Sequence, residues 1–138
     1  FRYSVFQDPS FDNRTFDFDR DTDRAFATRI LGEPLASVYN ARTDLSAFRA
    51  RGGKLIMYHG WADQQITPLS SIDYYDRVVA AQGKAATDEF LRMYMLPGVA
   101  HCSGGSGPAN IGGSSGAAPV ADAEHDVVRA LDRWVTQG

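Results

Sequence analysis

The stretch from Lys54 to Cys102 constrains the fold most, because it reads as strand, helix and strand in succession. Residues 55–58 form a continuous apolar run, which is typical of a strand buried on both faces. Pro68 and the helical spacing of apolar residues over 69–82 predict an amphipathic helix. Residues 90–96 predict a second strand. A helix between two strands favours a parallel pair. The sequence therefore predicts an α/β fold.

A carboxylate and an imidazole each follow one of these strands. Asp63 lies in the turn after the first strand, and His101 lies in the Gly-containing loop after the second. Parallel strands place such residues at the same edge of a sheet, where open α/β folds bind ligands. An acid followed by a histidine is also the order of the second half of the Ser…Asp…His triad in α/β-hydrolases. Singly, Asp63 would be a turn residue and His101 a loop histidine, but together they favour a catalytic pair.

The roles expected of this pair follow from their chemistry. An imidazole takes a hydroxyl proton near neutral pH, because its ordinary pKa is about 6.5. A carboxylate bonded to the other ring nitrogen fixes the tautomer and stabilises the imidazolium. His59, at the end of the first strand, is expected to play a structural role or to support the site. His125 is expected to be exposed, and the histidine spacing does not fit a zinc site.

The nucleophile is missing from this scheme. A Gly-x-Ser-x-Gly pattern occurs at 112–116 around Ser114, but this motif requires a strand before it and a helix directly after it. Here it follows the histidine in a Gly/Ser-rich loop, so we interpret it as low complexity. Ser70 and Ser71 are interpreted as helix-start residues. The chain alone is therefore expected not to hydrolyse a substrate.

The flanking regions give weaker signals. Residues 1–24 mix aromatic and acidic side chains, and their alternating aspartates lack the glycine and distal glutamate of a calcium-binding EF-hand loop. We interpret this segment as solvated, with aromatic anchors. Helices are predicted over 22–31, capped by Asp21 or Thr22, and over 45–51. Residues 87–89 are expected to be a short link. A last helix is expected to begin at Asp122 and to pack through Trp134.

Composition excludes two classes of partner and raises a question about the cysteine. The 138 residues carry a net charge of −3 with no basic stripe, which gives no support for nucleic-acid binding. No apolar run approaches the ~20 residues of a membrane span.

We interpret the start at Phe1 as a cut or processed end of a larger protein. The single cysteine, Cys102, is either a buried free thiol or bonded to a partner outside this chain.

Two blocks of sequence carry a family signature. One reads His-Gly-Trp-Ala-Asp-Gln at 59–64, and the other reads Phe-Leu-Arg-Met-Tyr-Met-Leu-Pro-Gly-Val-Ala-His-Cys at 90–102. A further segment reads Asp-Leu-Ser-Ala-Phe-Arg-Ala-Arg-Gly-Gly-Lys at 44–54. These blocks resemble the tannase and feruloyl esterase family, which includes a hydrolase of mono(2-hydroxyethyl) terephthalate. The likeness covers most of the chain from about residue 40.

The resemblance implies a serine-type carboxylic ester hydrolase of aromatic acid esters, with a large lid between nucleophile and acid. Asp63 would be the acid and His101 the base, and this chain would need no cofactor. Residues 1–42 would return from the lid, and 43–138 would be the C-terminal part of the α/β-hydrolase domain. The serine, the oxyanion-hole donors and most of the lid, where calcium is possible, are absent from this sequence.

The resemblance also implies that Cys102 forms a disulfide with a cysteine directly before the serine, in the missing N-terminal part of the same protein. Because disulfides persist outside the cytosol, it implies a secreted or periplasmic location. Ile66, by its position after the acid, is predicted to line the substrate pocket. The alternative is a non-catalytic α/β module that binds or scaffolds, which the absence of a serine favours for this chain alone.

Overall fold

The structure is a computed structural model that describes residues 1–39, 41–108, 110–112 and 118–138. The chain forms two compact units, Phe1–Arg42 and Thr43–Gly138. The assignment of the first unit to the return from a lid stays a prediction.

The first unit is built from short elements. A 3-10 helix spans Asn13–Thr15 and helix α1 spans Arg20–Ala27. Strands β1 (Arg29–Ile30) and β2 (Glu33–Pro34) pair antiparallel, and helix α2 spans Leu35–Tyr39.

The helix predicted over 22–31 was misplaced at both ends. It begins at Arg20 because the Asp17 carboxylate accepts hydrogen bonds from the backbone N–H groups of Asp19 and Arg20. It ends at Ala27 because Thr28 takes an extended conformation that leads into β1, and positive φ angles at Leu31 and Gly32 then turn the chain back to β2. Asp21 is not the N-cap residue: it lies buried inside the first turn, where it pairs with the Arg20 guanidinium and accepts a hydrogen bond from the Asp17 N–H.

The second unit contains the predicted strand–helix–strand arrangement. Helix α3 spans Ser46–Ala50, strand β3 spans Leu55–Gly60 and helix α4 spans Pro68–Gln82. Helix α5 spans Lys84–Asp88, strand β4 spans Leu91–Leu96 and helix α6 spans Val127–Gln137. Strands β3 and β4 pair in parallel, from Leu55 opposite Leu91 to Gly60 opposite Leu96. The prediction of a mixed α/β fold with a parallel pair is confirmed.

The core of this unit lies between α4 and the two strands. Val78, Phe90 and Leu91 are at most 1% exposed, and Phe48 and Met57 pack against them. Burying such side chains removes apolar surface from water, which is the main force that holds the strands and the helix together. This core holds β3 and β4 in place, and Asp63 and His101 lie in the loops that follow these strands.

Three further predictions about this unit need correction. Strand β3 is half-buried rather than buried on both faces, since β4 is the one strand paired with it in the described part of the chain. Residues 87–89 are not simply a link, because α5 includes Thr87, whose fully buried hydroxyl donates to the Gly83 carbonyl. The last helix begins at Val127, because the carboxylate of Asp126, not Asp122, caps it.

Trp134 on α6 is half-buried rather than fully enclosed. The guanidinium of Arg92 lies 4.7 Å from its ring centroid and the ammonium of Lys54 lies 5.1 Å away. Both cations are within the range of cation–π attraction. Trp134 therefore joins α6 to β4 and to the residue before β3 through cation–π contacts.

Candidate active site

Asp63 is held in the turn that follows β3. The backbone N–H groups of Trp61 and Ala62 donate to the carbonyls of Leu96 and Val99, which joins this turn to the end of β4. Further along, the N–H groups of Gln65 and Ile66 donate to Asp63 Oδ1 at 2.8 and 2.9 Å. The Asp63 side chain is only 6% exposed. Backbone N–H groups of the same loop thus hold the Asp63 carboxylate through hydrogen bonds.

His101 lies in a tight loop over residues 97–107. The Ala100 N–H donates to the Gly104 carbonyl, and Val99 forms an isolated antiparallel bridge with Gly105. Gly104 and Gly105 both have positive φ, a conformation that glycine adopts without steric cost. These backbone contacts fold the loop back on itself, and His101 lines the same cavity as the end of β3.

Asp63 and His101 form a hydrogen-bonded pair. His101 Nδ1 lies 2.9 Å from Asp63 Oδ2 and 3.2 Å from Oδ1. An ionised carboxylate only accepts hydrogen bonds, so Nδ1 carries the proton and Nε2 presents a lone pair. Among the described residues, none hydrogen-bonds to His101 Nε2, and the side chain is 32% exposed. This nitrogen is free to act as a base.

A second histidine contacts the same carboxylate. His59 Nε2 lies 3.2 Å from Asp63 Oδ2, and its Nδ1 lies 2.7 Å from the hydroxyl oxygen of Ser71. Ser71 lies in the first turn of α4, as its interpretation as a helix-start residue requires, but its contact with His59 was not predicted.

The pKa of Asp63 is lowered from its ordinary value. Burial is the largest single influence and raises the pKa, because it disfavours the charged carboxylate. The backbone hydrogen bonds from Ile66 and Gln65 and the interaction with His101 act in the opposite direction and together prevail. Asp63 is therefore ionised at any pH at which a histidine base works.

These groups line one cavity of about 340 Å³. Its walls come from the end of β3, the loop after it and the His101 loop: Tyr58, His59, Gly60, Asp63, Ile66, Val99, Ala100, His101 and Cys102. Ile66 is 51% exposed and is an apolar part of this wall. Cys102 is an exposed free thiol beside His101 with a φ of 61°, so it is not the buried thiol that counting alone allowed.

The remaining sequence candidates lie elsewhere. His125 is exposed before α6, and its Nδ1 lies 2.8 Å from the Asp122 carboxylate. Ser114 and most of its Gly-x-Ser-x-Gly pattern lie outside the described residues. Within the described ranges, no group of three or more His, Cys, Asp or Glu side chains could hold a metal ion. None of the described helices is long and apolar enough to cross a membrane.

A match to a family model shows which protein family includes this chain. The model described as "Tannase and feruloyl esterase" matches residues 1–138. The chain belongs to the tannase and feruloyl esterase family. Within this family, an uncharacterized esterase of Xanthomonas campestris pv. campestris is 42% identical over 142 residues, covering 93% of this chain and 25% of that protein. The mono(2-hydroxyethyl) terephthalate hydrolase of Piscinibacter sakaiensis is 45% identical over 127 residues, covering 89% of this chain and 18% of that protein.

A solved member of the same group has the same fold. The crystal structure of an esterase from Aspergillus oryzae superimposes with a TM-score of 0.84 and 34% identity, covering 99% of this chain and 26% of that one. This tannase-family chain therefore spans about a quarter or less of the length of the relatives that it matches.

Proposed function

We propose that the complete protein containing this chain is a serine-type carboxylic ester hydrolase that acts on aromatic acid esters. In this proposal residues 43–138 are the C-terminal part of an α/β-hydrolase domain, and they supply two members of a Ser–Asp–His triad. The observation that carries it is the 2.9 Å hydrogen bond between His101 Nδ1 and Asp63 Oδ2, at the wall of a cavity that both residues line. Family membership and the names of the relatives support the ester as substrate.

The geometry favours His101 over His59 as the base. Both imidazoles reach Asp63 Oδ2, but His59 uses its second nitrogen for the Ser71 hydroxyl. A general base needs a free nitrogen within reach of the proton that it takes. His59 is also more enclosed, with 12% of its side chain exposed against 32% for His101.

In this mechanism, this chain supplies the acid and the base, and the rest of the protein supplies the other catalytic groups. A serine outside this chain attacks the ester carbonyl, and His101 Nε2 takes its proton. Asp63, held ionised by its amide donors, stabilises the imidazolium that results. His101 then gives the proton to the departing alcohol, and a water activated by the same nitrogen releases the aromatic acid. Donors for the oxyanion also come from the remainder of the protein.

Cys102 has a structural role in this proposal. Its exposed thiol directly follows the base, so a disulfide to a cysteine beside the serine would hold base and nucleophile together. Such a bond requires an oxidising compartment, so secretion or export to a periplasm is part of the proposal.

The test is turnover by the complete protein with gallate, ferulate and terephthalate esters as substrates. We expect the wild type to release the free aromatic acid from at least one of them, measured by chromatography. His101→Ala should lower kcat by about 10³-fold or more, since loss of a triad member leaves mainly binding and oxyanion stabilisation.

His125→Ala is the matched control, because this histidine is exposed and paired only with Asp122 among the described residues. It should keep wild-type turnover. Wild-type protein without turnover would favour the non-catalytic module, and an active His101→Ala variant would overturn the assignment of the base.

A further inference from the structure

We propose that His59 and Ser71 are positioning residues that lock the orientation of Asp63, so that the acid stays aligned with His101. This inference rests on the proposed function. It concerns a chain of three contacts: Ser71 Oγ to His59 Nδ1 at 2.7 Å, His59 Nε2 to Asp63 Oδ2 at 3.2 Å, and Asp63 Oδ2 to His101 Nδ1 at 2.9 Å.

The two carboxylate oxygens of Asp63 are held from different sides. Oδ1 accepts from the backbone N–H groups of Gln65 and Ile66, which belong to the same loop as Asp63 itself. Oδ2 accepts from the two imidazoles. Without His59, the described residues would leave Oδ2 with His101 as its one partner. Apart from His101 itself, only the two amides on Oδ1 would then hold the carboxylate.

Ser71 contacts the His59 nitrogen that faces away from Asp63. Because Asp63 is an anion, the His59 nitrogen that faces it must carry a hydrogen. The neutral ring then presents a lone pair at Nδ1, and the Ser71 hydroxyl can donate to it. The Asp63 anion thus sets the tautomer of His59, and the Ser71 hydroxyl holds the ring in the orientation in which Nε2 donates to Asp63.

The contact also joins two elements around the catalytic loop. His59 belongs to β3 and Ser71 to the first turn of α4, and Asp63 lies in the loop between them. The His59 and Asp63 side chains are 12% and 6% exposed, so water competes little for these hydrogen bonds. The His59–Ser71 hydrogen bond therefore links the two ends of the loop. It restricts the motion of the Asp63 carboxylate relative to β3 and α4.

Neighbouring serines of α4 provide a matched test in the complete protein. Ser70 lies in the same turn, but its exposed hydroxyl donates to the Thr67 carbonyl instead. Ser71→Ala should lower kcat about 10- to 100-fold, the scale expected when a reacting group is misplaced by a fraction of an ångström to 1 Å. KM should change less than about twofold, because substrate contacts are kept. Ser70→Ala should leave both constants unchanged.

Conservative replacements separate positioning from simple folding. Ser71→Thr keeps the hydroxyl and should recover most of the lost kcat. His59→Gln keeps an amide N–H where Nε2 donates to Asp63, so it should retain more activity than His59→Leu. Melting temperatures of all variants, measured alongside, should not follow the order of kcat.

The outcomes distinguish this inference from the proposed function. An inactive wild type, or an active His101→Ala variant, would refute the proposed function. A wild type that depends on His101 while Ser71→Ala matches Ser70→Ala in kcat would refute the positioning role alone. A loss of kcat that tracks melting temperature, with no recovery in Ser71→Thr, would also refute it.

Discussion

At the scale of single residues, Asp63 shows how a carboxylate stays charged inside a protein. It is nearly buried, yet four donor groups face it: two backbone amides and two imidazoles. Hydrogen bonds to the charged form favour that form and offset the cost of burial. The loop therefore presents a negative charge to Nδ1 of His101, and no lysine or arginine in the described part of the chain pairs with it.

Asp63→Asn should separate charge from shape. The amide has the size of the carboxylate, but it carries no charge and favours the wrong imidazole tautomer, so kcat should fall by about 10⁴-fold. Asp73→Asn is the control, because Asp73 is an exposed residue of α4 whose side chain is 69% accessible. Steady-state kinetics of the complete protein would measure both. If kcat of Asp63→Asn stayed within tenfold of the wild-type value, Asp63 would not be a member of the triad.

The same variant should also reveal the lowered pKa. A carboxylate whose folded-state pKa is depressed stabilises the protein fully above its unfolded-state pKa, and the contribution is lost as the pH falls toward the lowered value. The difference in unfolding free energy between wild type and Asp63→Asn should narrow as the pH falls from about 5 toward the lowered pKa of Asp63. A difference that grows over this acidic range would contradict this sign.

At the scale of elements, the end of β3 and the loop over residues 97–107 touch through their backbones. Gly60 leaves no space for a side chain, because an ideal Cβ would overlap the Val99 carbonyl oxygen and lie 2.7 Å from the Val99 carbonyl carbon. The Ala62 N–H also donates to this carbonyl at 3.0 Å. The strand that positions the acid and the loop that carries the base are thus in direct contact.

Gly60→Ala should push the His101 loop away from β3. We expect a loss of stability of about 1–3 kcal/mol from overpacking and a fall in kcat of about tenfold or more from misalignment. Gly52→Ala is the control: its φ of 74° disfavours alanine, but no atom lies within 4 Å of the added Cβ. It should cost about 1–2 kcal/mol with kcat unchanged. Equal kinetics in the two variants would argue against the contact.

The elements that could be predicted from sequence are those with local signals. Pro68 and Gly83 bracket α4, and the apolar runs at 55–58 and 90–96 mark the two strands. These signals sufficed for the parallel pair and for the placement of Asp63 and His101 at one edge.

Two features were not predicted from the sequence: the residue that caps α6 and the His59–Ser71 contact. The first depends on which of two similar residues acts as the cap, and the second depends on tertiary packing. Asp122 and Asp126 are both good N-cap residues, and Asp126 caps α6 while the Val127 N–H is held by the Ile111 carbonyl. The His59–Ser71 contact depends on how the first turn of α4 lies over the end of β3. No spacing rule within the sequence determines that packing.

At the scale of the whole molecule, the chain spans about a quarter of the length of the Xanthomonas campestris relative and of the Aspergillus oryzae structure. It holds the proposed acid and base, and the proposed nucleophile lies outside it. Cys102 is the one residue of this chain that can form a disulfide to the remainder, since it is the only cysteine in the sequence. The proposed disulfide would thus stabilise the arrangement of base and nucleophile.

Thiol labelling of the complete protein tests this bond. Under denaturing conditions without reductant, Cys102 should resist alkylation, and a digest should yield its peptide linked to a second one that reduction releases. Cys102→Ser should lower the free energy of unfolding by about 2–4 kcal/mol, as removal of a native disulfide does. Ser103→Ala is the neighbouring control. An alkylated Cys102 in the unreduced protein would refute the bond.

The packing of the base-bearing loop also restricts how such a protein can be redesigned. A Cβ at Gly105 or Gly107 would overlap the carbonyl oxygen of Gly98 or Pro97, so these positions accept almost no other residue. A library that randomises residues 97–107 would therefore consist largely of misfolded clones. Ile66 offers the opposite case, since its side chain is half-exposed on the cavity wall and only its backbone N–H serves Asp63. Under the proposed function, selection for a new ester should accumulate changes at Ile66 while the loop over residues 97–107 keeps its sequence.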